Sequence, residues 1–483
     1  MMTEMLDGCK QEEFGLEDNR IHILNDDGEV ISKGTLPDSS EKQNEINEDS
    51  WLPLTRSRRG NSWTATFHLV CSGIGIQTLS LPLAFLYLGW FWGIMCLSVA
   101  FVWQLYTIGL LVSLHESVPG TRFSRYLHLS IAAFGPKLGK IFAIFPVMYL
   151  SGGTCVMFII TGGGTMKLLY QLLCDGYCSS KHPLTTTEWF LVFMCMAILV
   201  SLFCPNLHSV TLVSFLGSIM AVGYCTMLWI VFVAKGKVDD VVYDPSEVVT
   251  TKSSQVRSIF YALGIIAVAF RGHNVVLEIQ GTMPSTENRS SSKLMMKGVV
   301  VSYLIIAMCF FPLAIVGYWA FGNKFPTNGG VLTAISTTLN YHTSKPLLAL
   351  IYIQVIISCI AAFQIYGMVV YDNLERVYSS KARRECPKLI RLGIRMFFGG
   401  LTFFISVVFP FLPSLALLIG GISLHLTFGY PCLMWIAIKR PSRRWWFNLG
   451  LGCFGIALSV LVVVGAIWNL VCRGLDANFF HPR

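Results

Sequence analysis

Two apolar segments of this 483-residue chain are each long enough to cross a lipid bilayer, yet helix-breaking residues interrupt each of them near its middle. The first covers residues 63 to 87 and contains CSGIGIQTLSLP, and the second covers residues 256 to 283 and contains AFRGHNVVLEIQ. Glycine weakens a helix and backbone polar groups cannot face lipid, so an interrupted span persists only where it is buried or lines a cavity. Paired interruptions of this kind are typical of the substrate sites of secondary transporters.

The composition indicates a polytopic membrane protein whose environment is the lipid bilayer, because 54% of the residues are hydrophobic and only 13% are charged. Apolar runs and their breakers predict eleven transmembrane helices. The predicted spans are residues 63–87, 89–113, 139–171, 188–204, 209–234, 256–283, 297–321, 346–377, 391–410, 413–437 and 447–472.

The two regions of the chain carry opposite net charge. Residues 1–50 contain 14 Asp or Glu and 4 Lys or Arg, a net charge of −10 in a chain that carries +9 as a whole. This composition predicts a disordered tail at residues 1–60, ahead of a transporter domain at 61–473 and a short C-terminus at 474–483. Lys and Arg near the span ends predict a cytoplasmic N-terminus and an extracellular C-terminus.

The span count and the positions of the breaks predict two halves, each opening with its broken span. Five spans in each half would give the second half inverted topology, as in many transporters with a site near the membrane midplane. No repeated residue pattern accompanies this arrangement, so it depends on the span count and the breaks alone.

Four sequence motifs resemble a known family. They are GIGIQTLSLPLAFLYLGW (residues 73–90), GHNVVLEIQGTMPST (272–286), GVVVSYLIIAMCFFPLAIVGYWAFGN (298–323) and QIYGMVVYDNLE (364–375). They look like the plant amino acid/auxin permease family, and most like its lysine/histidine-transporter-like branch. The resemblance covers roughly residues 50 to 475.

This resemblance implies an all-α LeuT-type fold with a 5+5 inverted repeat, proton-driven amino acid uptake and a plasma-membrane location. Arg271 departs from the small residue typical of the branch, which allows a different substrate preference.

The first break is expected to bind a carboxylate. Backbone amides at the start of the outer half-helix would be free, and a helix N-terminus carries positive partial charge, so the α-carboxylate of an amino acid is a natural ligand. The alternative is that the glycines only allow close helix packing. The candidate residues are Ser72, Gly73, Ile74, Gly75, Ile76 and Gln77.

The second break combines an aromatic residue, a cation, a glycine and two polar side chains. Arg271 within a span must face a partner or water, because a lipid-facing arginine is costly. It could bind a substrate carboxylate through its guanidinium, or form a permanent ion pair with Glu278, and the sequence leaves both open. The candidate substrate-binding residues are Phe270, Arg271, Gly272, His273 and Asn274.

Few carboxylates lie inside the spans, which limits the candidates for proton coupling or gating. Glu278 lies deepest, His273 has a suitable intrinsic pKa, and Asp372 lies toward the cytoplasmic end of span eight. Structural alternatives are a hydrogen-bonding strut for His273 and a gating pair with a cytosolic-side base for Glu278.

Tyr149, Thr154 and Ser358 are further candidates to line the cavity. The alternative is that they act as polar contacts between helices.

Other function classes find no support in the motifs. The chain has no phosphate-binding loop, zinc-ligand spacing or nucleophile triad, so we expect no enzyme, metal or cofactor. Its basic residues follow the membrane topology, which does not indicate nucleic-acid binding.

Cys174 and Cys178 in a predicted outer loop could form a disulfide. Alternatives to a proton-coupled amino acid carrier are an auxin-like weak-acid carrier and a non-transporting amino acid receptor.

Overall fold

Long apolar helices dominate this computed structural model, which describes residues 16–17, 20–24, 30–35, 51–174, 184–248, 251–270, 272–285, 290–326, 330–339, 344–409, 412–440 and 443–473. We number the helices α1 (Ser62–Gly73), α2 (Leu81–Leu114), α3 (Tyr126–Phe134), α4 (Pro136–Cys174), α5 (Thr186–Phe203), α6 (Thr211–Lys235), α7 (Pro245–Val248), α8 (Lys252–Ala269), α9 (His273–Gly281), α10 (Ser291–Phe321), α11 (Gly330–Ala334), α12 (Lys345–Ala382), α13 (Lys388–Val408), α14 (Leu412–Leu424), α15 (Tyr430–Lys439) and α16 (Trp445–Arg473). Short 3₁₀ turns lie at Ile76–Ser80 and Gly322–Lys324, and π-helical turns at Ile335–Leu339 and His425–Gly429.

Ten helical stretches among the described residues are long and apolar enough to cross a membrane. Helix α1 is not one of them, because its 12 residues extend only about 18 Å. The predicted eleven spans count α1, the 3₁₀ turn and the start of α2 as one broken span, and the number eleven stays a prediction. Large apolar side chains such as Met308 and Phe404 are exposed on the outer helix surfaces, as lipid-facing residues should be.

Gly89 separates the first two predicted spans. Within α2 its φ of 72° and ψ of −177° interrupt the helical backbone, so residues 81–88 and 90–114 run in different directions. Glycine adopts such a positive φ without the penalty that a Cβ atom imposes. The predicted boundary between residues 87 and 89 lies at this kink.

The broken helices lie in the middle of the bundle. Helix α9 packs against α1, α2, α4 and α12, and α12 in turn packs against α4 and α6. Helix α1 packs against α6 and α10. Backbone interrupted in this way is surrounded by protein instead of lipid, which is the condition under which a break is tolerated.

The N-terminal tail contains three short strands. They are β1 (Leu16–Glu17), β2 (Arg20–Leu24) and β3 (Val30–Thr35), which pair antiparallel in the order β1-β2-β3. The rest of the first 50 residues lies outside the described part of the chain, as do residues 474–483. The predicted disorder of the tail stays a prediction, and the composition gave no sign of the three strands.

Candidate functional site

The first break lies where the sequence placed it. Helix α1 ends at Gly73, and Ile74 (φ −81°, ψ 83°) and Gly75 (φ −101°, ψ −178°) carry the chain into the 3₁₀ turn. The first hydrogen bond of that turn runs from the N–H of Thr78 to the carbonyl of Gly75, at 3.0 Å. The N–H groups of Ile76 and Gln77 precede this bond, so they are the donors that the helix start offers to a ligand.

Tyrosines from two other helices hold the carbonyls of this break. The hydroxyl of Tyr366 in α12 donates to the carbonyl of Ser72 at 3.1 Å, and the hydroxyl of Tyr224 in α6 donates to the carbonyl of Gly75 at 3.5 Å. The side chain of Ser72 instead donates to Leu69 within α1, at 3.3 Å. The tyrosines thus bond to one carbonyl in the last turn of α1 and to one carbonyl between α1 and the 3₁₀ turn.

Close helix packing explains one of the glycines at the first break. A Cβ atom on Gly73 would lie 2.6 Å from Cδ1 of Ile306 in α10, so the close approach of α1 and α10 needs a small residue there. Ile74 is fully buried. The close-packing alternative therefore holds for Gly73, while the N–H groups that precede the first hydrogen bond of the turn belong to Ile76 and Gln77.

The second break lies between α8 and α9. Phe270 is buried, and its carbonyl accepts a hydrogen bond from Nε2 of Gln104 in α2 at 2.6 Å. Gly272 has a φ of 132°, a value that a residue with a Cβ atom adopts only under strain. Arg271 lies outside the described residues, so its two interpretations both stay open.

The polar side chains at the start of α9 bond to two different helices. Nε2 of His273 lies 2.8 Å from Oγ1 of Thr107 in α2, and Nδ2 of Asn274 donates to Oγ of Ser151 in α4 at 2.8 Å. Both side chains are fully buried. Nδ1 of His273 and Oδ1 of Asn274 have no hydrogen-bond partner in the part of the chain that the structure describes.

One face of α4 connects the two breaks. Ser151 bonds to Asn274 at the second break, and Sδ of Met157 accepts from Nε2 of Gln77 at the first break, at 3.4 Å. Thr154 lies between them, and residues three apart on a helix share one face. Among the described residues, the buried Oγ1 of Thr154 and Oε1 of Gln77 also lack hydrogen-bond partners. Buried polar atoms without partners also occur elsewhere among the described residues, and these four lie at the two breaks and on the α4 helix between them.

Two other predicted residues lie elsewhere. Tyr149 stacks on Phe145, with ring centroids 5.6 Å apart, and Phe145 is 62% exposed, so this part of α4 faces outward. Ser358 is buried one turn before Ala361 in α12, where a Cβ atom on Gly217 would touch both Ala361 and Cys71. The structure thus brings Ser358 to the junction of α1, α6 and α12, and separates Tyr149 from the breaks.

A buried ion pair lies at the end of the bundle that carries residues 51–61. Nε of Arg125 is 2.6 Å from Oδ2 of Asp372 in α12, with the two side chains 2% and 0% exposed. Oδ1 of Asp372 accepts from the backbone N–H of Leu54 at 3.2 Å, and Nη2 of Arg125 donates to Oγ1 of Thr55 at 3.2 Å. Asp372 therefore joins α12, the start of α3 and the segment before α1.

Glu278 lies near this ion pair, beside the start of α3. Its Oε1 accepts from the N–H of Tyr126, the residue after Arg125, at 3.5 Å, while its buried Oε2 lacks a hydrogen-bond partner among the described residues. The neighbouring charges of Arg125 and Asp372 both act on it. The structure thus places Glu278 near a base, Arg125, and its role in gating or coupling stays a prediction.

Two groups of polar contacts were not predicted from the sequence. Nδ1 of His68 in α1 lies 2.8 Å from Oγ of Ser214 in α6, and Oγ of Ser218 donates to the carbonyl of Phe67 at 2.8 Å. These contacts fasten α1 to α6 along its side. A buried histidine in a broken span was the only signal that could have suggested them.

Glu116, just after α2, holds the start of α10. Its carboxylate accepts from Oγ of Ser290 at 2.8 Å and from Oγ of Ser291 at 2.7 Å, and it lies 3.4 Å from Nε of Arg122. Burial acts to raise the pKa of this carboxyl, but hydrogen bonds from Ser291, Ser290 and Ser285 outweigh it and hold the pKa below its ordinary value. Glu116 is therefore a charged structural anchor for the connection between α9 and α10.

Comparison with known proteins identifies the family. A family described as "Transmembrane amino acid transporter protein" matches residues 58–472. The chain belongs to this family. Lysine histidine transporter-like 8 of Arabidopsis thaliana is 46% identical over 438 residues, covering 90% of this chain and 84% of the relative. Lysine histidine transporter-like 7 of the same plant is 47% identical over 437 residues, covering 90% of each chain.

Solved structures show the fold. The substrate-bound outward-open structure of a Na⁺-coupled sialic acid symporter matches with a TM-score of 0.55 at 11% identity, over 89% of this chain and 95% of that one. The structure of MhsT in complex with L-phenylalanine matches with a TM-score of 0.54 at 12% identity, over 85% and 100%. At such identities the likeness concerns the fold alone, which is LeuT-type.

These findings confirm the predicted family branch and the LeuT-type fold. The chain is a multi-pass membrane protein of an amino acid transporter family, and its relatives are named as transporters and not as enzymes. The assignment of individual residues to substrate binding, coupling or gating stays a prediction. Cys174 is disulfide-bonded, and its predicted partner Cys178 lies outside the described residues.

Proposed function

We propose that this protein is a proton-coupled amino acid symporter of the plasma membrane that works by alternating access. The observation that carries the proposal is that α4 contacts both breaks, through Ser151 and Met157, and that four buried polar atoms of α4 and of the two breaks lack partners among the described residues. These atoms belong to Gln77, Thr154, His273 and Asn274. A small ligand with several hydrogen-bonding groups would satisfy them, which is what an amino acid offers.

The proposed site binds the two charged ends of an amino acid differently. The N–H groups of Ile76 and Gln77 are donors at the start of a helix, so they suit the α-carboxylate. Oδ1 of Asn274 can only accept, so it suits the α-ammonium group. In the arrangement that the structure shows, Nδ2 donates to Oγ of Ser151 and Oδ1 is left without a partner among the described residues.

Glu278 is the coupling candidate that the geometry favours. Asp372 is engaged by Arg125 and by the N–H of Leu54, and His273 is bonded to Thr107. Nδ1 of His273 and Oε2 of Glu278 both lack a hydrogen-bond partner among the described residues. However, Glu278 also lies near the buried charges of Arg125 and Asp372, so its protonation would act on that ion pair. A group that alternates between protonated and ionised forms as access changes is what proton coupling requires.

Uptake by proteoliposomes tests the proposal. The purified protein should accumulate amino acids when the outside is acidic, and a protonophore should abolish the accumulation, whereas a Na⁺ gradient alone should drive none. The names of the relatives make lysine and histidine the first substrates to test, with acidic and neutral amino acids and auxin beside them. Uptake of auxin but not amino acids would support a weak-acid carrier instead, and binding without uptake would support a receptor.

The proposed orientation places the N-terminus in the cytoplasm and the C-terminus outside, because Lys and Arg concentrate in the loops that are then cytoplasmic. Asn288-Arg289-Ser290 is the one N-glycosylation sequon in the sequence, and its asparagine lies outside the described residues. We expect it to stay unmodified in plant cells, since a cytoplasmic loop is not glycosylated. A glycosidase-sensitive mobility shift that Asn288→Gln removes would reverse the orientation.

A further inference from the structure

A groove of about 700 Å³ lies between the C-terminal part of α12 and the N-terminal part of α13. Leu374, Val377, Ile394 and Phe397 form most of its apolar lining. Val377 is 58% exposed and Phe397 is 68% exposed, so the groove opens on the outer surface of the bundle, where lipid lies. Its volume falls within the roughly 300 to 1,000 Å³ that small-molecule sites occupy.

Basic side chains lie along one edge of this groove. Lys381 is an exposed lining residue. Nη2 of Arg384 donates to the hydroxyl of Tyr378, another lining residue, at 3.0 Å, which holds the guanidinium at the same edge. The apolar lining and the two cations therefore belong to one concave surface, at the point where α12 passes from its apolar stretch into a polar loop.

The acidic residues nearby do not neutralise this edge. Glu385 already pairs with Arg56 at 2.9 Å and lies 3.6 Å from Arg391, which also pairs with Glu375 at 3.0 Å. Lys381 makes no ion pair with any residue that the structure describes. The edge thus presents positive charge that the protein itself does not compensate.

We propose that this groove binds an anionic phospholipid, with an acyl chain along the apolar lining and the phosphate group against Lys381 and Arg384. Basic pockets between membrane helices on the cytoplasmic side are suited to anionic headgroups, and the cytoplasmic leaflet is rich in such lipids. A zwitterionic lipid offers the same chains without the net charge, and a soluble phosphate offers the charge without the chain. The assignment rests on the proposed orientation, which puts this end of the bundle on the cytoplasmic side, and it is independent of which solute the protein carries.

Native mass spectrometry of the full-length protein, released from nanodiscs of phosphatidylcholine with a minor fraction of phosphatidylserine, tests the proposal. The wild-type protein should retain phosphatidylserine in preference to phosphatidylcholine. Lys381→Gln with Arg384→Gln should weaken the retention of phosphatidylserine by about fivefold for each basic residue removed. Soluble glycerol phosphate in excess should not displace the bound lipid.

Two glycines of α13 provide a matched pair of variants. Gly393 lines the groove, and a Cβ atom there would meet nothing within 4 Å, so Gly393→Leu fills the groove without a clash in the helix. Gly400 is equally open but lies outside the lining, so Gly400→Leu is its control. Only Gly393→Leu should lose the bound lipid.

Equal retention of both lipids, displacement by glycerol phosphate, or wild-type retention in the Lys381 and Arg384 double variant would overturn the proposal. The lipid retention of the Lys381 and Arg384 double variant tests the proposal even if Gly393→Leu fails to fold.

Discussion

Replacing Asp372 with asparagine should lower the thermal stability of the protein and reduce uptake to a small fraction of the wild-type rate. Asparagine keeps the shape of the side chain and an acceptor for the N–H of Leu54, but it leaves the buried guanidinium of Arg125 without its counter-ion. Removing one partner of a buried ion pair lowers the free energy of unfolding by about 3 to 5 kcal/mol, which is a large share of the total stability of a typical domain. Thermal unfolding in detergent and uptake in proteoliposomes measure the two effects.

An exposed ion pair at the same end of the bundle supplies the control. Arg56 and Glu385 are 2.9 Å apart, and their side chains are 48% and 46% exposed. Exposed pairs contribute about 0.2 to 1 kcal/mol, so Glu385→Gln should change stability little. Arg125→Gln combined with Asp372→Asn should recover part of the lost stability, because neither charge is then left alone. A stable, active Asp372→Asn protein would show that the ion pair is needed neither for stability nor for transport.

Gly272→Ala should reduce uptake by roughly 5- to 150-fold, the equivalent of the ~1 to 3 kcal/mol that a residue with a Cβ atom costs in such a backbone conformation. The φ of 132° at Gly272 starts α9 and so places His273 and Asn274. A Cβ atom there would meet nothing within 4 Å, so the effect would come from backbone strain and not from a clash. Initial rates of uptake, corrected for the amount of protein reconstituted, provide the measurement.

Gly164 in α4 is the matched glycine. A Cβ atom at this position also meets nothing within 4 Å, but its backbone is helical. Alanine is favoured over glycine in a helix by about 0.5 to 1 kcal/mol, so Gly164→Ala should transport normally and be no less stable. If Gly272→Ala kept the wild-type KM and maximal rate, the geometry of the second break would not matter for transport.

The breaks were predictable because their cause is local. Glycines and polar residues within an otherwise apolar run indicate an interruption. Both interruptions lie where the sequence placed them, the first at residues 74–75 and the second between α8 and α9. The boundary at Gly89 was predictable for the same reason. Such signals depend on a few consecutive residues, and neighbouring helices only decide whether the break is tolerated.

The contacts between distant segments could not be predicted in this way. Arg125 and Asp372 are 247 positions apart, and hydropathy gives no sign that they meet. Ser151 is one hydroxyl among several in α4, and only the packed structure shows that it bonds to Asn274 while Met157 reaches Gln77. Pairings of this kind depend on how the helices are arranged in space, which a single sequence does not record.

The lateral contacts of α1 limit how the bundle can rearrange. Helix α1 is a rod of 12 residues, and a rotation of about 10° about its C-terminal end would carry the other end about 3 Å. The contact of His68 with Ser214 is buried and that of Ser218 with the carbonyl of Phe67 is partly buried, and losing a hydrogen-bond partner in a buried place costs about 1 to 3 kcal/mol for each group. The same rotation is therefore less costly when α6 travels with α1 as one rigid unit than when the two helices separate.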